Sequence, residues 1–155
     1  MNIKYINIYN KLTDLTRNKD LYRNFKKQDS FSDRLIFFLL HFAFFLKVFK
    51  KDNDKEILQE IYDYVFRQLE LSIREIGYGD QSINKKMKDY LNLFYGIIDK
   101  INDWDGLSIE SKRAILLIYI DKNADEIFLT KYFEKYYFNL LNNTLNSYIK
   151  GIVKQ

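Results

Sequence analysis

The sequence contains no cysteine and no proline, only five glycines and a single histidine. Without cysteine the chain can form no disulfide, thiolate nucleophile, haem attachment or cysteine-zinc site, and one histidine excludes a metal site built from several histidines. Proline and glycine are costly inside helices and are the residues that tight turns need, so their scarcity favours long helices over an all-β fold. We therefore predict an all-α protein that holds no metal or other cofactor.

The rest of the composition is typical of one globular domain. The chain has 155 residues, of which 47% are hydrophobic and 30% charged, with 13 tyrosines and 13 phenylalanines. A mean hydropathy of -0.37 fits neither a disordered chain nor a membrane bundle. We predict a single domain over residues 1–155. The first residues lack the apolar region and cleavage site of a signal peptide, so we expect the chain to stay in the compartment where it is made.

Apolar side chains recur at helical spacing in six segments. These segments are residues 3–15, 35–46, 58–76, 83–101, 109–120 and 129–148. The second, LIFFLLHFAFFL, is apolar on nearly every side, but its twelve residues are too short for a bilayer core of about 30 Å. We therefore predict a single-domain bundle of five to seven helices around this central apolar helix.

Capping residues mark where several of these helices begin and end. The candidates at the start of the central helix are Ser30, Ser32 and Asp33, whose side chains can accept the free amide hydrogens of the first turn. Gly77 suits the left-handed position that follows the third helix. Asp80 or Ser82 is predicted to cap the fourth helix.

Positive charge is concentrated near the start of the chain. The net charge is +4, and residues 1–28 alone carry seven basic and two acidic residues. This region either faces an anionic partner, such as ribosomal RNA or lipid headgroups, or is simply solvated. Lys85, Lys86 and Lys88 lie near the predicted start of the fourth helix, where lysines oppose the helix dipole unless they meet an anion.

No catalytic constellation is visible. Gly77 and Gly79 lack the third glycine of a dinucleotide site and the G-K-[S/T] ending of a P-loop. His41 is the one possible imidazole base, but a histidine within an apolar helix is more typical of a satisfied core residue. We predict a protein that is not an enzyme. A cleft that joins His41 to two carboxylates would revive the enzyme hypothesis.

Two ordered motifs resemble the ubiquinol-cytochrome c chaperone family. The first is DSFSDRLIFFLLHF, in which Asp29, Arg34 and His41 have the family's spacing. The second is SIREIGYGDQSINKKMKDYLNLFYG, residues 72–96, with an Arg-Glu-x-Gly-x-Gly-Asp corner, a basic helix start and a terminal Phe-Tyr-Gly. The resemblance is strongest over residues 9–120, and Gln81 and Asn84 depart from the family's pattern.

This resemblance implies an assembly factor for the cytochrome bc1 complex, the ubiquinol-cytochrome c reductase of the respiratory chain. It implies binding of newly made cytochrome b, a small partner protein and contact with the ribosome. The short chain looks like a bacterial member in the cytoplasm, peripheral at the inner membrane, with no DNA partner. The partner-binding residues that it suggests are Arg17, Tyr22, Asp29, Arg34, His41, Arg74, Glu75, Gly77, Gly79, Asp80, Lys85, Lys86, Lys88 and Tyr95. The alternative is a helical adaptor that binds the ribosome or RNA directly through a basic surface.

Two structural hypotheses follow from the resemblance. A chaperone for an apolar client needs exposed apolar surface, so we expect part of the tyrosine and phenylalanine supply to form one exposed patch, on the last helix. We also expect a polar network made of Arg34, His41, Arg74, Glu75 and Asp80, which would hold the Gly77 corner or form the client site.

Overall fold

The helices occupy nearly all of the chain between short connections. The computed structural model describes residues 3–26, 30–77 and 79–154, and within these ranges it contains seven α-helices and no strand. The helices are α1 (Ile6–Thr16), α2 (Phe31–Phe49), α3 (Lys55–Glu75), α4 (Asp80–Ile101), α5 (Ile109–Tyr119), α6 (Glu126–Leu141) and α7 (Leu145–Lys150). Short 3-10 turns lie at Lys19–Tyr22 and Trp104–Gly106. The predicted all-α bundle is confirmed.

Helix α2 is the centre of the bundle, as its composition predicts. It begins at Ser30, whose hydroxyl accepts the Asp33 amide hydrogen over 3.2 Å and donates to the Asp33 carboxylate over 2.7 Å. Its side chains are buried on almost every face, and it packs against α1, α4 and α6. Among the described residues, no helix combines the length and the apolar character that a bilayer crossing requires.

Most of the aromatic residues build the core. The Phe44 ring lies 4.9 Å from the Trp104 indole and 5.6 Å from Phe133, measured between ring centroids, and Phe42 stacks on Phe94 at 5.4 Å. Each aromatic pair of this kind adds about 0.5–1.5 kcal/mol to the burial of its apolar area. These pairs join α2 to α4, to α6 and to the Trp104–Gly106 turn, so they fix how the helices pack.

The predicted sixth helix is wrong in its length, because the chain breaks after Leu141 and restarts as α7. Asn143 turns its side chain onto the Asn139 carbonyl at 2.8 Å, and the Thr144 hydroxyl accepts the Ser147 amide hydrogen over 3.1 Å. Asparagine and threonine side chains that bond to the local backbone compete with helix continuation. The break lets Tyr148 pack edge-on against Phe45 of α2, 5.2 Å between ring centroids.

Helices α3 and α4 form an antiparallel hairpin with the Gly77 corner at its closed end. At the closed end Arg74 of α3 binds Asp80 of α4. At the far end the hydroxyl of Tyr62, near the start of α3, bonds to that of Tyr95, near the end of α4. The hairpin packs on α2 through α4, and its open end lies beside the connection from α2 to α3.

Candidate functional site

An open groove lies between the end of α2, the start of α3 and the second half of α4. We call it the lysine groove. Its volume is about 630 Å³, within the range of about 300–1,000 Å³ that is common for ligand pockets. The residues that line it are Leu46, Lys47, Lys50, Lys51, Lys55, Leu58, Gln59, Tyr62, Tyr95, Ile98 and Asn102.

The floor of the lysine groove is apolar and aromatic. Leu46, Leu58 and Ile98 supply aliphatic side chains from α2, α3 and α4. The Tyr62 ring rests on Phe66 at 4.8 Å, and its hydroxyl lies 2.9 Å from the Tyr95 hydroxyl. Burial is the largest cause of a raised pKa of Tyr62, followed by this hydrogen bond, so the Tyr62 hydroxyl is protonated at neutral pH. The floor therefore offers apolar contact together with hydroxyl donors and acceptors.

Among the large hydrophobic side chains that line the groove, Tyr95 is the exposed one. Its side chain is 55% exposed, although it follows the buried Phe94 directly. Successive positions of a helix point in different directions, so Phe94 enters the core of the hairpin while Tyr95 reaches the groove. An exposed aromatic ring next to an apolar floor is a contact surface for another apolar group.

The rim of the groove carries four lysines, and they differ in role. The Lys47 ammonium is buried and donates to the Asn102 carbonyl oxygen over 2.8 Å, with the Asp105 carboxylate 4.0 Å away. Burial lowers the pKa of Lys47, the Asp105 carboxylate offsets part of this effect, and the charges of Lys51 and Lys50 lower the pKa further. Lys47 is therefore part of the framework that ties α2 to the end of α4.

The other three rim lysines are available to a partner. Lys50, Lys51 and Lys55 are exposed, and within the described ranges no carboxylate pairs with any of them or lines the groove. Lys50 and Lys51 follow the last turn of α2, and Lys55 begins α3. The α2–α3 connection therefore places three ammonium groups at one edge of an apolar floor, while its two carboxylates, Asp52 and Asp54, do not line the groove.

The Gly77 corner joins α3 to α4 as the glycine pattern predicts, but its cap is different. Gly77 adopts φ +105°, the left-handed region that favours glycine. The N-cap of α4 is Gly79, without a side-chain cap bond, so the predicted caps at Asp80 and Ser82 are wrong. Asp80 is already the first helical residue, and its carboxylate accepts from Arg74 over 2.6 Å.

His41 lies away from this corner, so the predicted network that joins it to Arg74 and Asp80 is wrong. Both of its ring nitrogens are engaged in the core, Nδ1 with the Phe37 carbonyl at 2.6 Å and Nε2 with the Tyr132 hydroxyl at 2.6 Å. Since a carbonyl only accepts, Nδ1 carries the proton and Tyr132 donates to Nε2. Burial lowers the pKa of His41 to about 4, so the ring is neutral.

The remaining residues suggested by the family resemblance are spread over the molecule. Arg17 is exposed and pairs with Asp14 at 3.2 Å. Tyr22 is buried, and its hydroxyl donates to the Thr16 carbonyl over 2.6 Å. Arg34 is exposed in the first turn of α2, and Asp29 lies outside the described residues.

Helix ends hold the other suggested residues. Glu75 is exposed as the last residue of α3. Lys85 and Lys88 are exposed along α4, whereas Lys86 is half-buried. Of the suggested residues that the structure describes, only Tyr95 lines the lysine groove, so this set does not converge on one surface.

The expected patch of exposed aromatic residues is also wrong. Among the large hydrophobic side chains that the structure describes, the exposed aromatic ones are Tyr95 on α4 and Phe138 on α6. The other aromatic side chains in the described ranges are buried or partly covered, and most of them pack against the core. The floor of the lysine groove instead combines three aliphatic side chains, Leu46, Leu58 and Ile98, with the rings of Tyr62 and Tyr95.

Sequence reasoning missed most of the groove. The segment KKDNDK, with Lys50, Lys51 and Lys55, has the pattern of a polar break, and Tyr62 falls in the buried stripe of α3. A signal was present, since this break has lysines on both sides and no glycine. No group of three or more histidine or carboxylate side chains among the described residues is placed to hold a metal ion.

Comparison with known proteins adds the family. A family model described as ubiquinol-cytochrome C chaperone matches residues 23–104, just over half of the chain. A search of curated proteins and a search of solved structures found no significant match. The matched region runs from the end of the first 3-10 turn through α2, α3 and α4, and it includes the Gly77 corner and every residue that lines the lysine groove. The chain therefore belongs to the ubiquinol-cytochrome C chaperone family and has a chaperone role in the assembly of the cytochrome bc1 complex.

Proposed function

We propose that the protein binds newly made cytochrome b and holds it during assembly of the bc1 complex, with the lysine groove as the client site. Membership of the chaperone family supports an assembly role, and cytochrome b is an apolar membrane subunit whose exposed segments need temporary cover. In this proposal the protein acts as a binding protein, not as an enzyme, in the cytoplasm beside the inner membrane.

The observation that carries this proposal is the apolar floor beside the exposed Tyr95. An amphipathic or apolar helix binds such a groove by placing side chains at positions i, i+3 and i+4 into it. Covering one leucine-sized side chain contributes about 1.5–3 kcal/mol before the cost of ordering. Two or three such contacts give a reversible complex, which suits a chaperone that must release its client.

The Gly77 corner supports the groove from the other end of the hairpin. Arg74 and Asp80 join the last turn of α3 to the first turn of α4, and Gly77 supplies the left-handed turn between them. The corner therefore sets how α4 lies along α3, which in turn places Tyr95 next to Tyr62. We assign Arg74, Gly77 and Asp80 a positioning role, without contact to the client.

Site-specific photo-crosslinking tests the client and the site together. A photo-crosslinking amino acid replaces Tyr95, and the matched control replaces Phe138, which is 66% exposed but does not line the groove. With pulse-labelled translation products, the position 95 probe should yield a cytochrome b adduct and the position 138 probe should not.

Other outcomes count against the proposal. Adducts of cytochrome b at both positions in equal yield would reject the groove as the client site. Adducts only with ribosomal RNA or ribosomal proteins would favour the adaptor hypothesis. A deletion strain with normal cytochrome b absorbance and normal ubiquinol-cytochrome c reductase activity would reject cytochrome b as the client.

A further inference from the structure

We propose that Lys50, Lys51 and Lys55 bind the anionic phospholipid headgroups of a bilayer, so that the mouth of the lysine groove lies against the membrane surface. These three side chains share one edge of the groove, at the connection between α2 and α3. This assigns the groove a second binding function besides the client contact proposed above.

The charged side chains that line the groove are all of one sign. In the described part of the chain, the groove lining includes four lysines and no carboxylate. Carboxylates lie nearby but outside this lining. Asp52, Asp54 and Glu56 flank Lys55 in sequence, and Asp103 and Asp105 line the smaller neighbouring cavity together with Lys50 and Lys51. An anionic group inside the groove would therefore meet ammonium groups and no lining carboxylate, an arrangement that attracts it.

The chemistry of the floor narrows the choice of anion. Leu46, Leu58 and Ile98 lie directly beside the lysines, so the matching ligand has an anionic group next to an apolar one. The tyrosine pair of Tyr62 and Tyr95 adds amphipathic rings of the kind that concentrate at the level of lipid headgroups. An anionic phospholipid has this combination of charge and apolar surface.

The three lysines could instead bind an acidic segment of the client, but the charge of the client's loops disfavours this. This step rests on the proposed function. Membrane proteins carry an excess of lysine and arginine in the loops on their cytoplasmic side, and the lysine rim repels such loops. The cytoplasmic leaflet itself has a negative surface potential, which attracts lysine clusters. The rim therefore suits the bilayer around the client better than the flanks of the client.

Vesicle binding tests the proposal with the full chain and no client present. The probes are phosphatidylcholine vesicles with and without phosphatidylglycerol, and binding is measured by co-sedimentation at several salt concentrations. Each lysine at an anionic surface contributes about 1 kcal/mol, so K50Q/K51Q/K55Q should lower the partition coefficient onto anionic vesicles roughly 100-fold. Added salt should weaken binding of the wild type by screening these charges.

The matched control is K122Q/K131Q/K135Q, which removes the same charge from exposed lysines on and before α6. It should change the partition coefficient little. If both triple variants lower the partition coefficient equally, net charge alone explains vesicle binding and the proposal is overturned. A lack of preference for anionic vesicles would also overturn it, as would a groove variant that binds them like the wild type. Thermal unfolding of each variant excludes a folding defect.

The vesicle and crosslinking experiments fail independently. If anionic vesicles bind through the three lysines but the probe at position 95 gives no cytochrome b adduct, the membrane contact stands and the proposed client is wrong. If the adduct forms and K50Q/K51Q/K55Q binds vesicles as the wild type does, the client stands and the membrane contact is wrong.

Discussion

The imidazole of His41 should stay neutral far below the pH at which a solvated histidine takes up a proton. Burial lowers its pKa from 6.5 to about 4, and the hydrogen bond to the Phe37 carbonyl offsets only part of this effect. The ring faces Phe133, Tyr132 and Tyr136. The two tyrosine hydroxyls are uncharged at neutral pH because burial raises their pKa. Among the described residues, no carboxylate contacts the ring to stabilise an imidazolium.

The consequence is a loss of stability on mild acidification. As the pH falls below 6.5, the unfolded chain binds a proton on His41 that the native protein does not bind, so the free energy of unfolding decreases. The stability that the protein has with a neutral His41 is fully present above pH 6.5 and is lost progressively as the pH falls to about 4. Between pH 7 and about pH 5 the loss is about 2 kcal/mol, a large part of the total stability of a domain.

Two measurements check this prediction. The chain has one histidine, so its imidazole resonances can be titrated by NMR without an assignment problem, and the midpoint should lie near 4. Urea unfolding followed by fluorescence of the single, buried Trp104 should lose about 2 kcal/mol from pH 7 to pH 5, a loss that His41→Gln removes. Tyr132→Phe is the control, since it removes the hydrogen bond but keeps the titrating ring. An NMR midpoint near 6.5, or equal pH dependence in wild type and His41→Gln, would refute the burial argument.

Two further predictions concern the α3–α4 hairpin. Gly77→Ala should destabilise the protein by about 1–2 kcal/mol, because an L side chain is strained at the φ of +105° that Gly77 adopts. Gly79→Ala should change stability little, because Gly79 has φ -73° and its surroundings are equally open. Urea unfolding measures both variants, and equal losses of stability would contradict the strain argument. Tyr95→Ala should change the free energy of unfolding by about 0.5 kcal/mol or less, since the side chain is largely exposed, yet lower ubiquinol-cytochrome c reductase activity in cells. Phe138→Ala is its matched control and should leave that activity intact, so a Tyr95→Ala strain with wild-type activity would count against the groove.

Helix positions follow from the sequence where local signals agree. The apolar stripe of α4, from Ile83 to Ile101, and the left-handed Gly77 both come from spacing and residue type, and the structure confirms them. The prediction of one continuous sixth helix failed at Asn143 and Thr144, whose side chains bond to the local backbone and end the helix. A polar stretch with several possible capping residues does not show which of them ends a helix.

The candidate site was much less predictable. The Phe-Tyr-Gly motif suggests Tyr95 as a partner-binding residue, which stays a prediction, and Tyr95 lines the groove. The rim lysines were not predicted because their partners on the floor are distant in sequence: Lys50 and Ile98 meet only when α4 folds back along α3. His41 was placed in the wrong network for the same reason, since Tyr132 is on a different helix, 91 residues away.

The sequence by itself determined the class and the centre of this protein. The absence of proline and the small number of glycines favour long helices, and a segment as apolar as residues 35–46 is buried at the centre of the helical bundle. Only the tertiary structure decided which surface is open. Helical periodicity records which face of each helix is apolar, whereas a groove depends on how three helices pack and where they diverge. That packing buries most of the aromatic side chains and leaves a small apolar floor at Tyr95, beside three lysines that pair with no carboxylate in the described ranges.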